Sequence, residues 1–354
     1  MLRLKNFISL AASLSLALPL FAGPAAACTR VVYQGAEGRV ITARSMDWKW
    51  DSGTNIWVLP RGVERDGRAG PNSLSWQVKY GSVVASAYDI STTDGMNEAG
   101  LVANLLWLSD SVFPEPDETT PTLSLSLWAQ FMLDNFATVT EAVDYVEENK
   151  FLVLTGDVPG QNRLASLHLS LSDATGDSAI MEYVDGELII HHSPGYQVMT
   201  NEPTYEQQLA LASYWNQIGG RAMLPGTNRA SDRFVRAQYY INAIPETADR
   251  RTALASVFSV IRNTSVPYGI STPEQPQISS TRWRVVADQQ DRVYYFESAV
   301  SPNVFWVEFD QLDFSPEAGA RTLQLGPDQS NIFSGEVSDR LVPAEPFEFL
   351  DAWS

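Results

Sequence analysis

The chain contains a single cysteine, Cys28, and it directly follows three alanines. Ala25 and Ala27 supply the small residues of a signal-peptidase site, after a basic start and an apolar stretch from Phe7 to Ala22. Cleavage after Ala27 would leave Cys28 with a thiol and a free α-amine on one residue. An α-amine has a pKa of about 7.7 to 8.0, so it could accept the thiol proton near neutral pH. The sequence therefore predicts a nucleophile that carries its own base.

Two other interpretations of Cys28 stay open at this point. A free cysteine often packs as a small, inert hydrophobic residue, although an unpaired cysteine in an exported protein also indicates a reactive thiol. In a lipoprotein, the cysteine after the cleavage site is diacylated and its amine is usually blocked. Such sites generally have Leu three residues before the cysteine, where this chain has Ala25. The residues around the site favour ordinary cleavage.

A second group with chemical potential lies in the segment Ile41–Trp48. An apolar run and two glycines precede it, which predicts two strands joined by a hairpin. On the second strand Arg44 and Met46 share one face, and Asp47 lies beyond them near the strand end. A carboxylate there can orient the Cys28 amine, and a guanidinium near sulfur favours the thiolate. An ordinary Arg–Asp ion pair is the alternative interpretation.

Two polar residues in the second half of the chain are further candidates. Tyr196–Thr200 is predicted as a strand and Thr204–Gln207 as a capping box, so Asn201 lies at a junction that can present its amide to a cleft. A simple turn asparagine is the alternative. Arg233 precedes an apolar stripe at helical spacing, in a first turn where a cation is slightly unfavourable. Another interaction should therefore hold Arg233 there, and a solvated arginine is the alternative.

These segments carry a resemblance to a known family. Cys28–Arg30 and Ala43–Trp48, at this spacing, resemble the choloylglycine hydrolase and penicillin V acylase family of N-terminal-nucleophile hydrolases. The resemblance continues through Thr93–Leu101, Met199–Thr204 and Ser231–Arg236, and extends over nearly all of the chain after residue 27. It implies an αββα sandwich, with two stacked sheets between helix layers. Propensity alone gives only the α+β class.

The resemblance also implies roles for individual residues. In that family the N-terminal cysteine attacks a linear amide, and an arginine and an aspartate attend its sulfur and its amine. Cys28, Arg44 and Asp47 match these positions. An asparagine after threonine donates its side-chain amide to the oxyanion, and a later arginine before phenylalanine completes the polar cluster. Asn201 and Arg233 match these positions.

Trp107 matches the second oxyanion donor of the family, which is a backbone N–H ten residues after the asparagine at position 97. Bile-salt enzymes typically carry Asn there and Gram-positive penicillin V acylases Tyr, whereas Trp resembles the Gram-negative acylase branch. Trp48, Trp107 and Met46 are candidate substrate-binding residues, because flat aromatic surfaces suit aryl or long alkyl groups. Packing in the core explains the tryptophans equally well, since the chain has ten.

The resemblance implies hydrolysis of a linear amide with a phenoxyacetyl or long fatty acyl group, including penicillin V and N-acyl-homoserine lactones. A conjugated bile salt hydrolase is the alternative enzyme. A non-catalytic envelope lipoprotein with a blocked Cys28 is the alternative from another class. The resemblance also implies a homotetramer, but the segment between Asn201 and Arg233 is shorter here than in the bile-salt branch, where it helps assembly. The oligomeric state therefore stays open.

Composition limits the partners and the location. The chain has 42 acidic and 24 basic residues, a net charge of −18. Removing residues 1–27, which contain Arg3, Lys5 and no acid, would leave 327 residues with a net charge of about −20. Such a surface repels phosphate backbones, so we expect no nucleic-acid partner. No later segment has the roughly 18 to 20 apolar residues of a membrane span. We expect a periplasmic or secreted protein of one domain, residues 28–354, after a signal peptide at residues 1–27.

Cofactors and Cys–His catalysis find no support in the sequence. Three histidines and one cysteine form none of the usual zinc spacings, and no glycine-rich phosphate loop follows a strand. His168 alternates with leucines on a predicted strand, His191 and His192 end an apolar run, and none matches a dyad signature. We therefore expect a small-molecule amide substrate and neither a metal nor a cofactor.

Hydrophobic periodicity predicts the elements that must position these residues. Helices are predicted at 122–136, from Val139 through Val146, and at 204–215, 233–244 and 249–262. Strands are predicted at 56–59, 101–108, 164–171, 179–184, 188–192, 284–287, 293–297 and 304–309. Asp185-Gly186 is predicted as a hairpin turn.

Overall fold

The computed structural model describes residues 28–218, 223–271 and 279–352. The predicted signal peptide, residues 1–27, lies outside the described residues. Two large sheets, which we name sheet A and sheet B, form the centre of the described chain, and helices pack on each of them. The layers run helices, sheet A, sheet B, helices. This arrangement confirms the αββα sandwich implied by the resemblance.

The described strands are β1 (Thr29–Gln34), β2 (Val40–Trp48), β3 (Ile56–Leu59), β4 (Glu64–Asp66), β5 (Ser75–Gln77), β6 (Ser82–Ala87), β7 (Ser91–Asn97), β8 (Val102–Trp107), β9 (Thr122–Ser124), β10 (Leu152–Leu154), β11 (Leu167–Ser172), β12 (Ser178–Val184), β13 (Glu187–His192), β14 (Val198–Thr200), β15 (Ser280–Asp288), β16 (Val293–Ser298), β17 (Val304–Glu308), β18 (Arg321–Leu323), β19 (Gly335–Glu336) and β20 (Val342–Pro343). The described α-helices are α1 (Trp128–Asn135), α2 (Val139–Glu148), α3 (Tyr205–Ile218), α4 (Ala230–Ala243) and α5 (Arg250–Asn263).

The two sheets differ in how the chain passes through them. Sheet A has the strand order β14-β1-β2-β15-β16-β17-β19, so its centre joins the beginning of the chain to a strand more than 230 residues later. Sheet B has the order β13-β12-β11-β8-β7-β6-β3-β18-β20. The pairs β4–β5 and β9–β10 form two small sheets. Most neighbouring strands in both large sheets are antiparallel.

Sheet B is buried on both faces, which explains why its strands are continuous apolar runs. In β3, Ile56 and Val58 belong to the core cluster between the two sheets, while Trp57 and Leu59 belong to the cluster beneath α1 and α2. Successive side chains of a strand point to opposite faces, so one strand supplies both cores. The core between the sheets continues past sheet A to α4 and α5.

The helices dock through single apolar stripes. In α2 the residues Val139, Ala142, Val143 and Val146 are all buried, which confirms the predicted stripe. Thr138 and Glu141 form a capping box at its N-terminus, so the helix start is fixed by side chains as well as by burial.

Several predicted element bounds need correction. The helix predicted at 122–136 is wrong in its first turns, because Thr122–Ser124 pairs in parallel with Leu152–Leu154 and α1 begins only at Trp128. Asp47 is the second-last residue of β2, near the strand end as predicted, since pairing with β15 continues to Trp48. The predicted turn at Asp185-Gly186 is confirmed, and both residues have positive φ values, 51° and 84°.

Two central strands of sheet B, β6 and β7, were not predicted. Two of the six residues of β6 are alanines, and β7 contains Asp94, Gly95 and Asn97, and these residue types are depleted in strands. Burial between neighbouring strands overrides that propensity. Within the described residues, no helix has the length and apolar character needed to cross a membrane.

Candidate active site

Pairing in sheet A brings three separated parts of the chain together at Cys28. The residue directly precedes β1, and Thr29 pairs with Thr200 on one side and with Ser45 on the other. Asn201, which follows Thr200, therefore lies beside Cys28. Met46 and Asp47, which follow Ser45, lie beside it on the other side. Sequence separations of 173 and 19 residues become direct contacts.

The backbone of Cys28 is held by two buried polar side chains. Its nitrogen donates to Asn201 Oδ1 at 2.5 Å, and its carbonyl oxygen accepts from Arg233 Nη1 at 2.5 Å. Arg233 also donates to Asn201 Oδ1 at 2.9 Å and to Thr29 Oγ1 at 2.5 Å. Arg233 is 0% exposed, so the solvated-arginine alternative is wrong. The guanidinium fixes both Cys28 and the side-chain amide of Asn201.

The Cys28 sulfur is buried and lies near both a positive and a negative side chain. Its nearest donors are the Asp47 backbone N–H at 3.5 Å and Arg44 Nη2 at 3.9 Å. Burial raises the pKa of the thiol, the Arg44 charge opposes this, and the Asp47 charge adds to it. Because burial dominates, the thiol is protonated at neutral pH and needs a base before it can attack.

Asp47 is buried beside Cys28 and makes its own contacts. Thr281 Oγ1 donates to Oδ1 at 2.5 Å, Ser45 Oγ lies 3.5 Å from Oδ2, and Arg233 Nη1 lies 3.9 Å from Oδ2. The sequence led us to expect a carboxylate that binds the Cys28 amine, but Asn201 holds this nitrogen instead. The reason is that the nitrogen is a peptide N–H with one hydrogen while residue 27 is attached.

The fall of hydrolytic activity at low pH should depend in part on protonation of the Asp47 carboxylate. Burial raises the pKa of this carboxyl to about 6, with Arg233 and Thr281 opposing the rise. The amine must be unprotonated to accept the thiol proton, so kcat/KM should fall about tenfold per pH unit below the pKa of an α-amine, about 7.7 to 8.0. Below pH 6 the site also loses the negative charge that would stabilise a protonated Cys28 amine, and the fall should steepen to about a hundredfold per pH unit. A rate profile from about pH 4.5 to 9 would locate both breaks, and a profile without the second break near pH 6 would contradict the assignment to Asp47.

The free energy of unfolding should also depend on the protonation of Asp47, but acidification should raise it rather than lower it. Since the pKa of Asp47 is raised on folding, its contribution to stability is full below its unfolded pKa of about 3.9 and is lost as pH rises through 6. Asp47→Asn should therefore flatten the pH dependence of the unfolding midpoint between pH 4 and 6. The exposed Asp144→Asn variant on α2 should leave it unchanged and serves as the control.

Trp107 presents its backbone to the site, because β7 and β8 separate there. Pairing between them ends at Asp94 and Asn104, and Leu108 binds Ser166 on the other side of β8. The N–H and carbonyl of one residue in a strand point to the same edge. Asn201 Nδ2 donates to the Trp107 carbonyl at 2.7 Å, so the Trp107 N–H faces the same edge.

The Arg44 side chain reaches from β2 in sheet A to the edge of β8 that Asn201 also contacts. Its Nη2 donates to the Leu105 carbonyl at 3.0 Å and to the Met46 sulfur at 3.1 Å. Its Nη1 lies 3.9 Å from Asp94 Oδ2, and its guanidinium stacks over the Trp283 ring at 4.6 Å. The cation is thereby fixed close to the Cys28 sulfur without a tight ion pair that would neutralise it.

The gap between β7 and β8 opens into a cavity with Cys28 at its floor. It encloses about 810 Å³ of space, including its mouth. The predicted residues Met46, Trp48 and Trp107 line it, and the two indole rings lie 5.6 Å apart. Apolar side chains from five other segments complete the wall: Ala87, Ile90, Leu125, Val158, Pro159, Leu167 and Leu350. The cavity suits an apolar acyl group.

Three residues that contribute to this cluster were missed in the sequence analysis. Asp94 accepts hydrogen bonds from Tyr294 Oη at 2.5 Å and from Asn104 Nδ2 at 2.7 Å, which fix its carboxyl group facing Arg44. Thr281 supports Asp47. Asp94 lies in the segment Thr93–Leu101 that carries the resemblance, and this signal could have identified it. Thr281 and Tyr294 carry no local signal.

The three histidines lie away from Cys28. His168 is buried and pairs with Glu182 at 2.8 Å, while the other Glu182 oxygen accepts the Tyr205 N–H at the start of α3. No histidine contact to Cys28 occurs within the described residues. In the same part of the chain, no cluster of three or more His, Cys, Asp or Glu side chains could hold a metal ion.

Comparisons with known proteins agree on one family. The profile of the linear amide C–N hydrolases, choloylglycine hydrolase family, matches residues 28–321, so the match begins at Cys28. The chain is 53% identical over 368 residues to penicillin V acylase from Pectobacterium atrosepticum, with 98% of each chain covered.

Solved structures give the same result. Penicillin V acylase from Agrobacterium tumefaciens matches with a TM-score of 0.86 and 60% identity, over 91% of this chain and 99% of that chain. A mutant of the conjugated bile acid hydrolase from Clostridium perfringens matches with a TM-score of 0.71 and 18% identity, over 87% and 98%. At that identity the second match shows a shared fold alone.

Proposed function

We propose that this chain, which belongs to the choloylglycine hydrolase family of linear amide C–N hydrolases, is an exported penicillin V acylase. In the same proposal, Cys28 is its N-terminal nucleophile. In this proposal, removal of residues 1–27 converts the Cys28 nitrogen from a peptide N–H into an amine. The enzyme would then act in the periplasm or outside the cell.

The observation that carries the proposal is the convergence of buried polar groups on Cys28 at the floor of an apolar cavity. Asn201 binds its nitrogen, Arg233 binds its carbonyl oxygen, and Arg44 with the Asp47 N–H faces its sulfur. A cysteine kept only for packing would need none of these contacts. The similarity to two proteins named penicillin V acylase supports the same activity.

The geometry supports a mechanism in which one residue is both nucleophile and base. The Cys28 amine takes the thiol proton, and the sulfur attacks the amide carbonyl carbon. Asn201 Nδ2 has two hydrogens and commits one of them to the Trp107 carbonyl, so the second can bind the oxyanion together with the Trp107 N–H.

The intermediate then collapses with proton transfer from the Cys28 amine. The C–N bond breaks, the leaving amine takes the proton, and a thioester to Cys28 remains. Water attacks this thioester, the same amine removes a proton from the water, and the acid is released with the thiol restored. No step in this sequence needs a redox change.

The proposed substrates are amides with a phenoxyacetyl or long fatty acyl group. The rings of Trp48 and Trp107 and the aliphatic residues of the cavity would enclose such a group. Penicillin V and N-acyl-homoserine lactones have these acyl groups. Hydrolysis of the lactones outside the cytoplasm would make the enzyme a quorum-quenching protein.

Intact mass measurement of the exported protein tests the nucleophile. A mature chain that begins at unmodified Cys28 is the expected species. An added diacylglyceryl mass, or a start at another residue in a fully active sample, would contradict the proposal.

A panel of three substrates tests the specificity. Penicillin V, decanoyl-homoserine lactone and glycocholate should be given in parallel to the same processed preparation, with acid release as the readout. We expect clear hydrolysis of the first two and slow hydrolysis of glycocholate. A preference for glycocholate would favour the bile salt alternative.

A further inference from the structure

We propose that Arg163 binds a carboxylate on the amine part of the substrate, so that the enzyme prefers acyl amides of amino acids and related anionic amines. The inference rests on the proposed amidase function and adds the charge of the leaving amine to it. The observation behind this inference is that the Arg163 cation, at the rim of the cavity, has no acidic partner within the described residues.

Arg163 lies on the two tryptophans of the cavity. Its guanidinium carbon is 4.2 Å from the centre of the Trp107 ring and 5.5 Å from that of the Trp48 ring. Both tryptophans line the cavity, whereas Arg163 does not. The cation is partly exposed and therefore lies at the rim, between the apolar interior and solvent.

The donors of Arg163 are largely unused. Its Nε donates to Gln161 Oε1 at 2.9 Å, and neither terminal nitrogen donates to a described residue. No carboxylate of the described residues lies within 4 Å of it, in a chain with 42 acidic residues. Arg44 and Arg233, in contrast, are committed to several partners each. A planar fork of free donors in an acidic protein fits an incoming carboxylate.

The backbone near Arg163 is fixed before any ligand binds. Its carbonyl accepts the Val158 N–H at 3.0 Å, and Asp157 pairs with Leu164 across the loop. The Ala165 N–H binds the Gly156 carbonyl at 2.9 Å. Four of these five flanking positions, all except Leu164, line the cavity. The loop thus places the cation without further ordering, which lowers the entropic cost of binding an anion there.

The position of the scissile bond indicates which part of the substrate reaches Arg163. The apolar cavity would hold the acyl group, and the carbonyl carbon must lie at the Cys28 sulfur beside the Trp107 backbone. The amine part then extends out of the cavity toward the rim, where Arg163 covers the Trp107 ring. A carboxylate on the amine part would then lie on the side of the cavity where the unused donors are.

Two substrates that differ only in this charge provide the test. Phenoxyacetylglycine carries the carboxylate, and phenoxyacetylglycinamide replaces it with a neutral amide. Arg163→Gln should lower kcat/KM for the first by about 10- to 100-fold, the usual effect of losing a hydrogen bond to a charged group. The second should change by less than about threefold. The loss should appear mainly in KM, since the contact exists equally before and in the transition state.

Matched variants separate charge from packing. Arg163→Lys keeps the charge without the planar fork and should retain part of the preference. Arg340→Gln removes an exposed arginine that stacks on Phe333 elsewhere and should affect neither substrate. Rising salt should reduce the preference of the parent enzyme for the anionic substrate.

Two results would overturn the assignment: equal losses on both substrates in Arg163→Gln, or no preference for phenoxyacetylglycine in the parent enzyme. Penicillin V hydrolysis by the same preparation tests the proposed function separately. Failure on all phenoxyacetyl amides would overturn both proposals, whereas hydrolysis without charge preference would overturn only this one.

Discussion

The Cys28→Ala variant should lose about 10⁴-fold or more in kcat on phenoxyacetyl amides. Removing the nucleophile of a covalent hydrolase leaves only binding and oxyanion stabilisation, and losses of this size or greater follow in comparable enzymes. Folding should be retained, because Cys28 is held through its backbone atoms by Asn201 and Arg233, and alanine keeps those atoms. Acid release in steady state and the thermal unfolding midpoint are the two measurements.

Cys28→Ser is the companion variant, since it keeps the amine and the position of the nucleophilic atom. A hydroxyl has a much higher pKa than a thiol, so the amine can deprotonate it less readily, and a large loss should remain. Both variants should be processed after Ala27, which intact mass can verify. Hydrolysis by Cys28→Ser at the parent rate would contradict the nucleophile assignment, and the single cysteine leaves no other thiol to replace it.

Local patterns were sufficient to predict the part of the site that lies on one hairpin. The alternation of side chains along Ile41–Trp48 and the two glycines before it fix the pairing of β1 with β2. That pairing brings Arg44 and Asp47 to Cys28. The residues of one hairpin can therefore be placed relative to each other before any tertiary contact is known.

Asn201 and Arg233 could not be placed by local patterns. They contact Cys28 across 173 and 205 residues, and only the family resemblance connected these segments. The sequence alone left open a turn for Asn201 and a solvated position for Arg233, because burial of a guanidinium depends on partners from other elements. Arg163 gave no signal for the same reason, since its role depends on two tryptophans from different strands.

Strand pairing also explains the missed or misassigned elements. Thr122–Ser124 has a helical pattern after it, yet it joins β10 because Leu152–Leu154 offers parallel partners. Gly95 in β7 shows a closer constraint: a Cβ there would meet Val84 Cγ1 at 2.7 Å and Leu133 Cδ1 at 2.9 Å. Glycine is therefore required by the packing of α1 on sheet B, although it disfavours a strand by propensity.

Asn201→Ala should lower kcat by about 10²- to 10³-fold with little change in KM. The lost Nδ2 donor would act on the oxyanion, which exists only in the transition state and the intermediate, and removal of one such donor typically costs about 2.7 to 4 kcal/mol. Loss of Oδ1 would also leave an Arg233 donor and the Cys28 nitrogen without a buried acceptor. We therefore expect a further loss in stability of about 1 to 3 kcal/mol.

Asn201→Asp helps to separate the two effects, because it keeps an acceptor for Arg233 and Cys28 while it replaces the amide donor with a carboxylate oxygen. Its stability should stay closer to that of the parent, while kcat should fall at least as far, since a negative charge would face the developing oxyanion. Asn242→Ala on the exposed face of α4 is the control and should change neither quantity. If Asn201→Ala raised KM and left kcat within threefold of the parent, Asn201 would bind substrate rather than the oxyanion, and the donor role would pass to the Trp107 N–H alone.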